Sequence, residues 1–391
     1  MDFEFSAEEQ AFAAEVDGLL EENRSPEIMD EHPEQLSQTV DSPAKRGLIG
    51  KLAERGWLGM SWPAEYGGAE RSGIFDFLLT ERLSRVGAPQ PGKGVGIVGK
   101  TIIRNGSDRL KNEFLPQIMR GEIEFAIGYS EPQAGSDAAA MSLKATRDGD
   151  GWRLNGTKIW TTSAHFADWY WLGARTDPDA TKHKGISLFL LRMDSPGLTL
   201  QPTWTIGDER TNQVFFDNVF VADEYVVGEV NHGWRYICEA LDLERFAMMP
   251  LGVLEMKVEA LCAWVRAAQR DGAPLRDDPV VRKTIANLGA QFEVAKMLQR
   301  RVIAEALKGV PTVSSSKYKL FMNELGQRVA NAALDMMGPA GTLKPGAEGA
   351  PLNGRFERSY RYTVVDTIGG GTSEIQKNII ARRGLGLPAN Y

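Results

Sequence analysis

The sequence predicts an α+β multidomain chain in three parts: an N-terminal helical domain (residues 1–125), a small central β-barrel or sandwich domain (126–231) and a C-terminal helical bundle (232–391). Three observations carry this. Apolar residues recur at helical spacing up to about residue 125. Short β-rich runs split by Gly, Pro and Asp then fill about 110 residues, and from His232 the helical period returns.

The first helix is signalled by Ser6 and Glu9, a capping box, followed by Phe12, Val16, Leu19 and Leu20 on one face. KLAERGWLGM, FDFLLTERLSRV and SDRLKNEFLPQIMRG continue the pattern, the last capped by Ser107. In the central part, Asn155-Gly156 within WRLNGTKIW predicts a hairpin turn, and DWYWLGART, ISLFLLRM, LTLQPTWTI and NQVFFDNVFV predict strands. Helical stretches resume with GWRYICEALDLERFAMM and VLEMKVEALCAWVRAAQ, then with VVRKTIANLGAQFEVAKMLQRRVIAEAL, SSKYKLFMNELGQRVANAALDMM and SEIQKNIIARRGL. GPAGTLKPGAEGAPLNG (338–354) is a Gly/Pro-rich loop.

Composition excludes several function classes. The 391 residues are 42% hydrophobic and 25% charged with a net charge of −7, which argues against a nucleic-acid or anionic-membrane binder. No apolar run approaches the roughly 18 residues of a membrane span, and the acidic start MDFEFSAEEQ is unlike a signal peptide. Cys238, Cys262 and four scattered histidines offer neither a disulfide framework nor metal-ligand spacing. A cytoplasmic protein without metal is expected.

One motif is deceptive. GVGIVGKT (94–101) satisfies both the phosphate-loop and the dinucleotide patterns, yet no buried strand precedes it. Val95, Val98 and Ile102 give it a helical period instead, so its glycines are expected to permit close helix packing and Lys100 to lie in solvent.

The stretch EFAIGYSEPQAGSDAAAM, the segment GWRLNGTKIWTTSAHFADWYWLGART and the ending TIGGGTSEIQKNIIARRGLGLP carry the chemistry. Together with the α–β–α order they resemble the acyl-CoA dehydrogenase family of flavoproteins over essentially the whole chain. The resemblance implies FAD as cofactor, an acyl-CoA substrate and an electron-transfer flavoprotein as acceptor. It implies that Ser130 donates to the flavin pyrimidine edge, that Gly135 and Ser136 form a turn at the pyrophosphate, and that Trp160 packs on the ring system with Thr162 beside N5. Thr372, Glu374 and Gln376 complete the implied cofactor set, and Ser136 and Arg245 the substrate contacts.

Many members place the catalytic glutamate just before a Gly-Thr pair, but Gly369-Gly370-Gly371-Thr372 puts Gly370 there. A second family location, in a Leu-Asp-Leu-Glu-Arg context, matches Leu241 to Arg245 and makes Glu244 the expected base. Helix geometry agrees: Trp234, Ile237, Leu241, Glu244 and Met248 share one face, so Glu244 interrupts an apolar stripe that Asp242 and Arg245 lie off. The family's oxyanion device pairs a flavin ribityl hydroxyl with the base's own backbone N–H. His165 lacks a carboxylate partner at meaningful spacing and is taken as structural.

Departures are informative. Where the family binds the adenine half of FAD across a subunit interface, this chain has Ala268, Asp271 and Pro279 in place of the Arg, Phe and Gln, and Asp335-Met336-Met337-Gly338-Pro339 in place of Gln-x-x-Gly-Gly. Arg270 or Arg282 in a homodimer or homotetramer is the slightly favoured remedy, a sister chain in an α₂β₂ heterotetramer the alternative. ERTNQVFFDNVFVADEYVVGEVNHGWRYICEALDLER looks more like bacterial enzymes of branched, aromatic or steroid-side-chain thioesters than like straight-chain enzymes. An oxidase or hydroxylase of the same fold and a non-catalytic partner subunit are the rival functions.

Overall fold

A computed structural model describes residues 5–35, 37–247, 250–306, 309 and 311–388; the side chains of 242–247 lie outside this description. The N-terminal helices are α1 (Ala7–Glu22), α2 (Pro43–Glu54) and α3 (Gly73–Arg85), then α4 (Gly99–Asn105) and α5 (Asp108–Met119). The capping box is present: Ser6 Oγ accepts from Glu9 N while Ser6 N donates to the Glu9 carboxylate at 2.7 Å. Ser107 caps α5, and Phe12, Val16, Leu19 and Leu20 are buried against α3.

The central strands are β1 (Phe125–Gly128), β2 (Lys144–Asp148), β3 (Gly151–Lys158), β4 (Trp169–Arg175), β5 (Ile186–Arg192), β6 (Leu198–Trp204), β7 (Arg210–Ala222) and β8 (Val226–Val227). They form one mixed sheet in the order β6-β7-β3-β2-β4-β5-β8, with β1 parallel to β4. The runs YWLGA and ISLFLL are almost wholly apolar, Ser187 excepted, because β4 and β5 are buried on both faces. One face carries Trp169, Trp171, Leu188 and Leu190 against α4 and α5. The other carries Tyr170, Leu172 and Phe189 against Val214 and Phe216 of β7, so the sheet curls on itself.

Asn155-Gly156 is not the hairpin turn. Both residues lie inside β3, at a register shift opposite β7, and Asn155 Oδ1 accepts from Asn218 N at 2.9 Å. The β2–β3 turn comes earlier, where Gly149 takes φ 58°. A turn dipeptide inside a strand marks a bulge, and Gly156 at φ 139° supplies it.

The deceptive motif is helical: residues 94–98 make one π-helical turn that runs directly into α4. Gly99 is required because a Cβ there would lie 2.2 Å from the buried Trp62 ring, and a Cβ at Gly94 would touch Ile118 and Phe125. Lys100 corrects the expectation of a solvent lysine. It is half-buried, and desolvation pulls its ammonium pKa down.

The C-terminal helices are α6 (Gly233–Ala247) and α7 (Gly252–Ala267), then α8 (Pro279–Ala306), α9 (Thr312–Met337), α10 (Arg355–Asp366) and α11 (Ser373–Ile379). A short hairpin, β9 (Gln269–Arg270) with β10 (Ala273–Pro274), separates α7 from α8. α10 is not among the expected helices: it is strongly polar on average, and its buried positions mix Phe356 and Tyr362 with Arg355, Glu357, Ser359 and Asp366. It clips the bundle to the sheet: Arg361 donates to the Ile206 carbonyl at 2.7 Å and pairs with Asp208, while Arg358 reaches Glu209.

Candidate active site

The residues singled out in the central domain converge. Ile159 N donates to the Ser130 carbonyl at 3.0 Å, which sets Ser130 beside the Trp160 segment. On the other side, Asn212 of β7 accepts from Thr161 N at 3.0 Å and donates to the Thr161 carbonyl at 2.9 Å. Between these anchors Trp160 takes φ 60°, rare for a large side chain, and remains 56% exposed. The fold thus holds a large aromatic in a strained conformation that its own core does not use. Thr162 is half-buried next to it, and Ser163 is fixed by Lys93 Nζ at 2.9 Å. His165 is exposed and packs Nδ1 against Asn212 Nδ2 at 3.1 Å, consistent with a structural role.

A buried pair that spacing alone did not reveal lies beneath. Lys158 Nζ and the Glu131 carboxylate meet at 2.8 Å with both side chains inaccessible. Glu131 also accepts from Ser142 N at 2.6 Å and Leu143 N at 2.8 Å, and so staples residues 131–143 to β3. Burial alone would push the Glu131 pKa up; Lys158 and those N–H groups outweigh it and hold the carboxyl below its usual range. The stapled segment carries Gly135 and Ser136, both exposed. A Cβ at Gly135 would meet no protein atom, so nothing inside the chain demands a glycine there.

Thr372, Glu374 and Gln376 form a second group. Thr372 Oγ1 caps α11 by accepting from Ile375 N at 3.2 Å, and Glu374 is exposed in the first turn, its carboxyl held low by hydrogen bonds there. Gln376 is fully buried: its Nε2 donates to the Gly370 and Gly371 carbonyls at 3.4 and 3.0 Å, and its Oε1 has no partner among the described residues. Gly370 has φ 65° and Gly371 φ 94°. The N–H groups of Gly370, Gly371 and Thr372 find no acceptor among the described residues.

Glu244 and Arg245 are placed as positions in the last turn of α6, and their side chains lie outside the described residues. The helix itself is set among three parts of the chain. Gly233 packs on the Ser187–Leu188 backbone of β5, Ile237 lies against Gly173 of β4, and Asn105 of α4 bonds Glu239 at 3.1 Å. Ile237 is buried, and Trp234 and Leu241 pack on the same core, so the described part of the stripe is as the sequence predicts. An N–H this deep in a helix is committed to the carbonyl four residues back, so Glu244 cannot lend its own N–H to a thioester.

Below the glycine loop, Asp366 is a buried acid. Desolvation pushes its pKa up to about 7, with Lys257 and Lys319 opposing and Glu34 adding to the rise. The folded pKa therefore exceeds the ordinary 3.8, so the folded state holds the proton more tightly. Its contribution to stability is complete at low pH and is lost as pH rises toward about 7. Asp366→Asn is expected to raise the thermal midpoint at pH 8 relative to the native chain and to change it little at pH 4. Melting curves across that range check this.

Three domain models of the acyl-CoA dehydrogenase family match the chain: N-terminal over residues 6–122, middle over 126–219 and C-terminal over 231–385. The chain belongs to the acyl-CoA dehydrogenase family, and is an FAD-dependent oxidoreductase acting on acyl-CoA thioesters. It is 34% identical over 351 residues to acyl-CoA dehydrogenase FadE26 of Mycobacterium tuberculosis, covering 88% of each chain. Among solved structures it is similar to the Tcur3481-Tcur3483 steroid ACAD, at 33% identity and TM-score 0.90 over 100% of both chains. It is likewise similar to the ChsE4-ChsE5 complex from Mycobacterium tuberculosis, at 32% identity and TM-score 0.89 over 100% of both. Among the described residues no helix is long and apolar enough to cross a membrane, and no His/Cys/Asp/Glu group could hold a metal. The exposed Trp160 and the Gly135 turn, which the protein's own packing does not require, fit a large planar cofactor with a phosphate-bearing tail.

Proposed function

We propose that the chain catalyses α,β-dehydrogenation of a bulky acyl-CoA to the 2,3-enoyl thioester, with Glu244 as the base toward the α-carbon. The observation that carries this assignment is Gly370, a glycine at φ 65° where many members keep their base, with Lys319 Cε 3.5 Å from where a Cβ would be. That location holds no carboxylate, and α6, packed against the sheet and α4, carries Glu244 in its last turn. FAD, when bound, accepts the hydride leaving the β-carbon.

The chain's residues bind and orient. Trp160, Ser130 and Thr162 would hold the flavin end of FAD, and the Gly135–Ser136 turn would hold its pyrophosphate. Thr372 and Glu374 close the cofactor side from α11, and Ser136 and Arg245 bind substrate. Because Glu244 N–H is committed within α6, the N–H on the thioester carbonyl is assigned to Gly370, whose amide is free among the described residues. Such a donor stabilises the enolate-like charge that develops on that oxygen.

The acyl group is assigned to the branched or ring-bearing class, since a glycine at the loop position leaves room and one similar structure is titled a steroid ACAD. Electrons pass to an electron-transfer flavoprotein. A sister chain is favoured over a homo-oligomer for the adenine half of FAD. Two of the similar structures carry paired chain names, and Arg270, the candidate substitute, already spends Nη2 on the Met336 carbonyl at 2.6 Å.

Purification of this chain with and without a neighbouring sister chain, with FAD per subunit and mass in solution, tests the assembly. Substoichiometric flavin alone and near one FAD per αβ pair together are expected. Full flavin occupancy in a homodimer or homotetramer contradicts the sister-chain reading.

A further inference from the structure

The Gly369–Gly371 loop has no side chains with which to shape itself, so its form must come from its neighbours. Two elements supply it. Lys319 of α9, 4% exposed, donates Nζ to the Gly371 carbonyl at 3.0 Å and to the Asp366 carbonyl at 3.2 Å. Asn323, one turn further along α9, bonds the same Asp366 carbonyl. From α11, Gln376 holds the Gly370 and Gly371 carbonyls. Gly369 N is anchored on the Val365 carbonyl at 2.8 Å.

A peptide unit is planar, so fixing a carbonyl also fixes the next N–H, on the opposite side. With the Gly370 and Gly371 carbonyls turned toward Gln376 and Lys319, the N–H groups of Gly371 and Thr372 point away from them. Gly370 N–H is caught between the anchored Gly369 amide and its own anchored carbonyl. A lysine sealed from water is a costly choice if only volume is needed, since methionine fills similar space without a charge to desolvate. What lysine adds is a charge-assisted bond to a loop carbonyl.

We propose that Lys319 is a positioning residue for the thioester end of the active site: it holds the glycine loop in the one shape that presents its free amides, and touches no reacting atom itself. This rests on the assignment of Gly370 N–H to the thioester carbonyl. The amide exchange of the loop separates the two ideas, because it reports the clamp whether or not the loop meets substrate.

The test uses the FAD-loaded protein, in its native assembly, as Lys319→Met, Lys319→Arg and Gln376→Leu. In Lys319→Met, hydrogen exchange at the bonded amides of Gly369 and Ser373 should rise about 10-fold or more. kcat should fall about 10- to 100-fold, the size of one charge-assisted hydrogen bond, with KM nearly unchanged. Lys319→Arg should recover most of both. Gln376→Leu, which loosens the same loop from the other side, should reproduce the fall in kcat if Lys319→Met fails to fold. Unchanged exchange in Lys319→Met overturns the clamp. Faster exchange with kcat and KM both unchanged leaves the clamp standing, and overturns both the positioning role and the Gly370 assignment. A rise in KM with kcat unchanged overturns the positioning role alone.

Discussion

Glu244→Gln is expected to lower turnover by about 10²–10⁴-fold while leaving FAD bound, because glutamine keeps the shape and hydrogen bonding but cannot take a proton. The loss should appear equally in kcat and kcat/KM, since proton removal belongs to the transition state and not to binding. Bleaching of the flavin by substrate should vanish on the stopped-flow time scale. A carboxylate elsewhere would betray itself by near-native turnover in this variant. Gly370 offers no such group, and that is why the expected effect is large.

The second large effect is expected at the buried Glu131–Lys158 pair, next to the proposed flavin site. Glu131→Gln leaves the Lys158 ammonium without its carboxylate in a place water does not reach, and breaking one side of such a pair typically costs about 3–5 kcal/mol. The cost should be accompanied by loss of FAD, because the same carboxylate fixes Ser142 and Leu143 and with them the segment carrying Gly135 and Ser136, the proposed pyrophosphate turn. Denaturant titrations of Glu131→Gln, Lys158→Met and the double variant separate the two parts. The double variant should regain much of the stability, having no orphaned charge, yet still bind FAD poorly because the segment is no longer held. Equal FAD affinity in the double variant would show that the pair matters to the fold alone.

Much of this was legible in the sequence, for reasons that can be named. Ser6 with Glu9 and the cap Ser107 are local signals, and the structure uses them as written. The doubly buried strands β4 and β5 announce themselves as continuous apolar runs. The described part of the α6 stripe follows helical spacing. What escaped depends on residues far apart in the chain or on groups that belie their type. Asn155-Gly156 has the chemistry of a turn, but pairing with β7 on one side and β2 on the other keeps it in the strand. The helix α10 is amphipathic but strongly polar on average, and it buries arginine and aspartate beside Phe356, so its apolar residues are too few to announce it. Lys158, Lys319 and Lys100 look like surface lysines until Glu131, the Gly371 carbonyl and the packing around α4 are brought to them. The Lys319 contact to Gly371 spans 52 residues, which no local reading can see.

The same contrast applies to Gln376. A glutamine in a polar C-terminal motif suggests a ligand contact, but its side chain is wholly buried and spends both hydrogens on the loop before it. Its Nε2 thus shapes the loop while its buried Oε1 has no partner among the described residues; Trp160, by contrast, stands exposed.

The central claim is that this chain, with Glu244, removes two hydrogens across the α and β carbons of an acyl-CoA. The direct measurement is anaerobic mixing of the FAD-loaded protein with a panel of straight, branched and ring-bearing acyl-CoAs, followed by flavin absorbance and product mass. Rapid bleaching with a branched or ring-bearing thioester, a product lighter by two hydrogens, and the absence of both in Glu244→Gln is the predicted result. Bleaching and the same product from Glu244→Gln at the native rate would contradict the account.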